Sequence, residues 1–129
     1  MTENMFTGVD HVGLAAQDVE KLTEWYCQVL GYEKVHYHEK GVWMIRAQDG
    51  TMIEVMPCDD TKRPERTTWT PGWSHLVLRV ADMEKACAYL ESKGVEFANE
   101  IINAIGGGKV RNFYDPEGNM LQIAWRESK

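Results

Sequence analysis

A sequence repeat limits the possible folds of this chain more than any other feature. Residues 11–21 return 64 positions later as residues 75–85, with five identities among eleven positions, where average composition would give roughly one. A second match relates residues 49–56 to residues 117–124 at a shift of 68. Such self-similarity indicates one supersecondary unit used twice. We therefore expect a pseudosymmetric fold whose equivalent positions carry related roles.

Each copy of the repeat reads as β-α-β-β-β. In the first copy, alternating apolar residues predict a first strand, and Asp18 and Gly31 mark the start and stop of an amphipathic helix. Asp82 and Gly94 do the same in the second copy. The predicted strands are 9–16, 32–38, 42–47, 51–56, 74–80, 95–97, 110–114 and 119–125. The pattern predicts an α+β fold of two tandem βαβββ modules, with a cupped, mostly antiparallel eight-stranded sheet and helices outside.

The length of 129 residues fits a single domain over 1–129 with a substantial core. We place module 1 at about 7–57, a polar linker at about 58–71 and module 2 at about 72–127. The second module carries five extra residues within 98–108, a stretch that ends in three glycines at 106–108. We expect this stretch to act as a lid with hinge glycines; an ordinary surface loop is the alternative.

Charge and cysteine content exclude several classes of protein. A net charge of −6 argues against a nucleic-acid partner and an anionic membrane surface. No apolar run approaches the roughly 20 residues of a membrane span, and the first residues do not resemble a signal peptide. The three cysteines form no CxxC pair, which favours free thiols and a cytoplasmic protein. We expect a small-molecule substrate as the partner.

Four polar side chains point to a metal site. The first and last strands of each module place His11, Glu54, His75 and Gln122 on the face opposite their aliphatic residues. Two imidazoles, a carboxylate and an amide oxygen can bind one divalent first-row ion, with Zn, Ni, Co, Mn and Fe all fitting. The alternative is that each histidine only satisfies a neighbouring hydrogen bond. His36 and His38 have no counterpart in the second module, and we interpret them as polar surface or pocket wall.

Further residues are candidates for binding a substrate. Arg79 has the same strand parity as His75, so its guanidinium can bind a carboxylate or phosphate beside the metal. Trp43, Met52 and Met56 can line the cup. An ion pair at the sheet rim for Arg79, and core packing for the other three, are the alternatives that the sequence leaves open.

These features together resemble the vicinal oxygen chelate superfamily, which includes glyoxalase I, methylmalonyl-CoA epimerase, extradiol dioxygenases and the fosfomycin- and bleomycin-resistance proteins. The resemblance lies in the βαβββ repeat, the Val9-Asp-His-Val12 opening, the helix from Asp18 to Gly31, and the run Phe113-Tyr-Asp-Pro-Glu-Gly-Asn-Met-Leu-Gln122. It covers nearly the whole chain. It implies a metal ion at the positions of His11, Glu54, His75 and Gln122.

The ligand set resembles the proton-transfer branch of this superfamily most closely. Bacterial glyoxalase I usually has Glu at the position of Gln122, and the epimerase typically has His, Gln, His and Glu in order. Extradiol dioxygenases and fosfomycin enzymes generally use His, His and Glu, whereas bleomycin-binding proteins lack the ligands. Since Glu54 is the only carboxylate of the quartet, it must serve as ligand, as catalytic base, or as both.

The resemblance therefore implies a metal-dependent lyase or isomerase of the glyoxalase I type, which moves a proton next to the carbonyl of a small 2-oxo or thioester-type substrate. A methylmalonyl-CoA epimerase-like isomerase is the next alternative. A non-haem iron extradiol-type dioxygenase that uses His11, His75 and Glu54 as a facial triad, and a non-catalytic small-molecule-binding (resistance) protein, also stay open. We expect a homodimer, with the site completed either within one chain or across a swapped dimer.

Overall fold

A computed structural model of the chain describes residues 5–127, and within them the fold has two helices and two four-stranded mixed sheets. The chain divides into two compact units, Met1–Thr61 and Lys62–Lys129. The division falls inside the stretch predicted as a linker. Each unit has the order β-α-β-β-β, so the predicted α+β fold of tandem βαβββ modules is confirmed, with the eight strands shared equally between two sheets.

The first unit holds one helix and one sheet. Its elements are β1 (His11–Ala16), α1 (Val19–Leu30), β2 (Glu33–His38), β3 (Val42–Arg46) and β4 (Met52–Pro57). The sheet order is β1-β4-β3-β2, with β1 parallel to β4 and the other pairs antiparallel. Helix α1 begins where the Asp18 carboxylate accepts the Lys21 N–H, and it ends at Gly31, whose φ of 77° suits glycine.

The core of the first unit lies between α1 and its sheet. The helix packs on β1, β3 and β4 because its apolar residues recur at helical spacing. The buried side chains are Leu22, Tyr26 and Val29 from the helix, and Ile45, Ile53 and Val55 from the strands. Burial of each such side chain contributes about 1.5–3 kcal/mol. The opposite face of the sheet carries Glu54 together with Met52 and Met56.

The second unit repeats this plan. Its elements are β5 (Leu76–Arg79), α2 (Met83–Ser92), β6 (Ile102–Asn103), β7 (Lys109–Tyr114) and β8 (Met120–Trp125). The sheet order is β5-β8-β7-β6, and β5 runs parallel to β8. Asp82 caps α2 by accepting the Lys85 N–H. The buried side chains include Met83, Cys87 and Leu90 of the helix and Phe113, Leu121 and Ile123 of the sheet.

One predicted strand is wrong. Residues 95–97 are irregular, although their apolar and β-branched residues suggested a strand. Val95 donates its N–H to the Leu90 carbonyl at the end of α2, and the Phe97 ring packs edge-on against Phe113 with centroids 5.8 Å apart. These side chains are apolar because they close the helix end and cover the core. The strand that follows α2 is the two-residue β6, which is too short to show any sequence period.

The stretch 98–108 is more ordered than a free lid. It contains β6, and β6 pairs antiparallel with β7 across a turn in which the Ala104 N–H donates to the Gly108 carbonyl. Arg126 donates to the carbonyls of Ile105 and Gly107 over 2.7 and 2.6 Å. A Cβ on Gly108, where φ is +99°, would collide with the Trp125 carbonyl. A side chain at Gly108 would therefore require the backbone of this turn to shift.

Neither of the helices found within residues 5–127 is long and apolar enough to cross a membrane.

Candidate metal-binding site

The two units present matching pairs of polar residues at the junction of their parallel strands. In the first unit Glu54 of β4 pairs with Gly13 of β1, two residues after His11. In the second unit Gln122 of β8 pairs with Val77 of β5, two residues after His75. Since alternate residues of a strand share a face, His11 lies on the same face as Glu54, while His75 directly precedes β5 in the second unit. The repeat therefore extends from sequence to strand register.

In the first unit the two side chains face each other. His11 Nε2 lies 3.9 Å from Glu54 Oε1, with 37% and 34% of the side chains exposed. That distance is too long for a hydrogen bond, and it lies within the roughly 4 Å that two ligands of one first-row ion can span. Gly13, which lies on the same face, has no side chain to fill the space, and the Met56 methyl group approaches it. The pair is partly open to solvent and sterically accessible.

The other ring nitrogen of His11 is held by its neighbour in the chain. His11 Nδ1 lies 2.8 Å from Asp10 Oδ2. This hydrogen bond raises the pKa of His11 above its ordinary value; desolvation lowers the pKa in part, and the negative charge of Glu54 raises it further. A carboxylate on Nδ1 and a free Nε2 form the arrangement commonly found around metal-bound histidines.

The second unit has the same arrangement with neutral partners. His75 Nδ1 lies 2.7 Å from Ser74 Oγ. Gln122 Nε2 donates to Asn112 Oδ1 over 2.7 Å, in keeping with the pairing of Asn112 and Gln122 across β7 and β8. That bond uses the amide NH₂ group and leaves Gln122 Oε1, the atom that can bind a cation.

The donor set fits a divalent ion. Each unit offers one imidazole nitrogen and one side-chain oxygen, and mixed N/O ligation suits first-row metals. Within residues 5–127, no three His, Cys, Asp or Glu side chains lie together as a complete centre. Each unit by itself therefore supplies a pair of candidate ligands.

The candidate substrate-binding residues do not all lie on the sheet faces that carry the candidate ligands. Met52 and Met56 share the face of Glu54, since they alternate with the buried Ile53 and Val55. Arg79 pairs with Ala124 of β8 and so shares the face of Gln122. Trp43 does not line the site, which corrects the prediction for this residue.

Trp43 lies on the helix side of its sheet. It pairs with the buried Val55, and its indole N–H donates to Glu20 of α1 over 2.9 Å. Lys34 lies over the ring at 4.7 Å. This tryptophan therefore links α1 to the sheet through polar contacts as well as packing.

His36 and His38 lie on the Glu54 side of the first sheet, at its edge. His36 pairs with Met44, which in turn pairs with Glu54. His38 Nδ1 accepts the Lys40 N–H over 3.1 Å. Both histidines are exposed and stand two strands away from the His11–Glu54 pair.

Three polar residues of the site were missed at the level of sequence, namely Asp10, Ser74 and Asn112. Asp10 and Ser74 occupy the same position of the repeat, directly before each histidine, and both carry an acceptor oxygen. That coincidence was a usable signal. Asn112 had no such signal, because its role depends on the register of β7 against β8.

Comparison with known proteins identifies the family. The chain matches the Glyoxalase/Bleomycin resistance protein/Dioxygenase superfamily over residues 8–123, and it belongs to that superfamily. The predicted superfamily is thereby confirmed. Among curated relatives, the uncharacterized protein YaeR of Escherichia coli (strain K12) is 26% identical over 124 residues, covering 89% of this chain and 93% of YaeR.

Solved structures share the fold. The fosfomycin resistance protein FosX from Listeria monocytogenes, complexed with Mn(II) and sulfate, superposes with a TM-score of 0.74 at 21% identity, covering 95% of this chain and 92% of FosX. TnmS3, an antibiotic binding protein from Streptomyces sp. CB03234, gives a TM-score of 0.75 at 21% identity, covering 97% of this chain and all of TnmS3. The superfamily fold thus accommodates both metal-binding and antibiotic-binding proteins.

Proposed function

We propose that this protein is a metal-dependent lyase or isomerase of the glyoxalase I type, which transfers a proton next to the carbonyl of a small 2-oxo or thioester-type substrate. The observation that carries the proposal is the His11–Glu54 pair at 3.9 Å, together with the equivalent registers of Glu54 against Gly13 and of Gln122 against Val77. A carboxylate beside an imidazole, open to solvent, can both bind a cation and accept a proton.

The proposed ligands for a divalent ion are His11, Glu54, His75 and Gln122. The Mn(II) bound by FosX supports a divalent ion in this fold, and Zn, Ni, Co and Fe fit the same donor atoms. The ion supplies Lewis acidity that polarises the substrate carbonyl. Glu54 takes the proton from the adjacent carbon and returns it to the neighbouring position, so that the carboxylate is regenerated in each cycle.

The surroundings of Glu54 favour a small substrate with one anionic end. Met52 and Met56 give the Glu54 face an apolar wall, and the Met56 methyl group lies close to Gly13. Arg79 is exposed and makes no hydrogen bond or ion pair of its own with the described residues. Its guanidinium is therefore available for a substrate carboxylate or phosphate.

A non-catalytic ligand-binding role is the second candidate. It is favoured by Trp69 and Trp73, whose side chains are 84% and 98% exposed just before His75. Exposed indole rings can stack on a planar ligand, and TnmS3 of the same fold is an antibiotic binding protein. In this case the fold would bind ligand without a metal ion.

Metal analysis of protein purified without chelator tests the proposal. We expect about one divalent ion per chain, and we expect His11→Ala and His75→Ala each to release it, because losing a ligand opens the coordination shell. His38→Ala serves as the control, since its ring is tied to Lys40. Stoichiometric metal in the His11→Ala/His75→Ala double variant would contradict the proposed ligands.

Activity assays then separate the reaction classes. We expect turnover of a methylglyoxal–thiol hemithioacetal, or deuterium exchange from solvent beside a 2-oxo or thioester carbonyl. Oxygen uptake by iron-containing protein would indicate the extradiol-type dioxygenase. Folded, metal-free protein that binds a planar ligand tightly would indicate the second candidate.

A further inference from the structure

We propose that Asp10 and Ser74 are positioning residues that fix the tautomers of His11 and His75, so that both imidazoles present an unprotonated Nε2. The inference rests on the proposed function, because a metal-binding imidazole needs a lone pair at the ligating nitrogen. It adds Asp10 and Ser74, one from each unit of the chain, to the residues of the proposed function.

The tautomer of His11 follows from the chemistry of its partner. An ionised carboxylate only accepts hydrogen bonds, so the 2.8 Å contact between His11 Nδ1 and Asp10 Oδ2 requires the proton on Nδ1. A neutral imidazole carries one such proton, and therefore Nε2 holds a lone pair. This is the nitrogen that lies 3.9 Å from Glu54 Oε1.

The tautomer of His75 follows from a count of hydroxyl protons. Ser74 Oγ donates its single proton to the Thr68 carbonyl over 2.8 Å. The same oxygen lies 2.7 Å from His75 Nδ1, and with no second proton it must accept there. His75 is thus protonated on Nδ1 as well, and its Nε2 holds the lone pair.

His38 shows that this arrangement is not general in the chain. Its Nδ1 accepts the backbone N–H of Lys40, which requires a lone pair on Nδ1 and places the proton on Nε2. Two of the four histidines therefore have the Nδ1–H form, both directly after an acceptor side chain, while a histidine outside the proposed ligand set has the opposite form.

The two positioning residues differ in charge. His11 has two carboxylates beside it, those of Asp10 and Glu54, whereas His75 has the neutral hydroxyl of Ser74. An anionic acceptor strengthens an imidazole as a ligand more than a neutral one does. We therefore expect removal of Asp10 to weaken metal binding more than removal of Ser74.

NMR of the metal-stripped full-length chain, labelled with ¹⁵N-histidine, measures the tautomers directly at a pH where the imidazoles are neutral. We expect Nδ1–H for His11 and His75 and Nε2–H for His38. Asp10→Ala should return His11 to the Nε2–H form preferred by a free histidine side chain and leave His75 unchanged. Ser74→Ala should do the reverse, and Ser74→Thr, which keeps the hydroxyl, should restore the Nδ1–H form. Far-UV circular dichroism checks that each variant is folded.

Competition with a chromogenic chelator for Zn²⁺ gives the second readout. Loss of a residue that holds a metal ligand typically weakens affinity by about 10- to 100-fold, and we expect this for Asp10→Ala, a smaller loss for Ser74→Ala, and recovery in Ser74→Thr. Nε2–H tautomers for His11 and His75 in the wild-type chain would overturn the inference even if metal binds. Nδ1–H tautomers in a chain that binds no metal would sustain the inference and overturn the proposed function.

Discussion

Gln122 donates its side-chain amide to Asn112 on the neighbouring strand, whereas Glu54 at the equivalent position of the first unit has Met44 as that neighbour. The amide of Gln122 is thereby oriented with its oxygen free, while a thioether beside Glu54 makes no comparable bond. One half of the proposed site is held by hydrogen bonds, and the other half keeps a carboxylate that can change its partner. This asymmetry suits a fixed ligand in the second unit and a proton acceptor in the first.

The first prediction concerns the roles of Glu54 and Gln122. Glu54→Gln should retain part of the metal and lose at least about a hundredfold in turnover, the usual scale for removal of a general base, because an amide is not basic near neutral pH. Gln122→Glu should keep activity, since a carboxylate can replace the amide oxygen as ligand. Turnover and metal content are measured on the same preparations.

Met52→Leu is a suitable control for these variants, because it changes the wall of the Glu54 face without changing charge or titratable groups. It should turn over within the same order of magnitude as the wild-type chain. Wild-type turnover in Glu54→Gln combined with an inactive Gln122→Ala would reverse the assigned roles.

Much of the fold was predictable because the same βαβββ pattern occurs twice in the sequence. The caps Asp18 and Asp82, and the buried Ile53 and Val55, follow from local chemistry and strand alternation. Residues 95–97 were misassigned because apolar side chains that cover a core through irregular backbone have the same composition as a short strand. No local signal identifies Phe97, since its place is set by Phe113, which is distant in sequence.

The site was predictable only in part. The His11–Glu54 pair follows from parity within strands, and the register of β1 against β4 places both residues on one face. Gln122 has the register equivalent to that of Glu54, whereas His75 lies before β5. Trp43 was misplaced because residue type suggested a pocket, whereas its pairing with Val55 and its bond to Glu20 place it under α1. Such contacts depend on how a helix lies across a sheet, which a sequence pattern does not specify.

The second prediction concerns the hairpin turn of the second unit. Gly108→Ala should destabilise the protein by about 2–4 kcal/mol, the range of large single-residue effects, because its Cβ would collide with the Trp125 carbonyl. Gly107→Ala is the matched variant. It has open space around the added carbon and should lose only about 1–2 kcal/mol for its positive φ. Melting temperatures, at about 4 °C per kcal/mol, distinguish the two, and equal melting temperatures would contradict the steric argument.

The third prediction concerns Tyr32 and alkaline pH. Tyr32 is 5% exposed and packs edge-on against Tyr26. Burial raises its pKa from 10.0 to about 12, and the charge of Asp49 adds to the effect. The unfolded chain loses this proton near pH 10 and the folded chain near pH 12. The contribution of the protonated phenol to stability is therefore fully present below pH 10. Between pH 10 and 12 the free energy of unfolding falls by about 1.4 kcal/mol per pH unit.

Tyr32→Phe isolates that contribution. The difference in free energy of unfolding between wild type and variant should be constant below pH 10 and should change with the predicted slope above it, as measured by urea unfolding. Ultraviolet titration should show that the variant has lost a phenol that ionises near pH 12. If every phenol of the wild-type chain ionised near pH 10, the claim that burial raises the pKa of Tyr32 would be contradicted.

The last prediction compares two arginines of the second unit. Arg79→Met should raise the KM for an anionic substrate by about 10- to 100-fold, the scale of a lost hydrogen bond between charged groups, with little change in melting temperature, because Arg79 is exposed and its described surroundings give it no bond to lose. We expect Arg126→Met to change the stability of the protein and not its KM. Arg126 donates to the carbonyls of Ile105 and Gly107, so its loss should lower stability by about 1 kcal/mol and leave KM unchanged. Steady-state kinetics and thermal unfolding of both variants give the comparison. An unchanged KM in Arg79→Met would remove this arginine from the substrate site, because methionine keeps an unbranched apolar stem and lacks the charge and the donors.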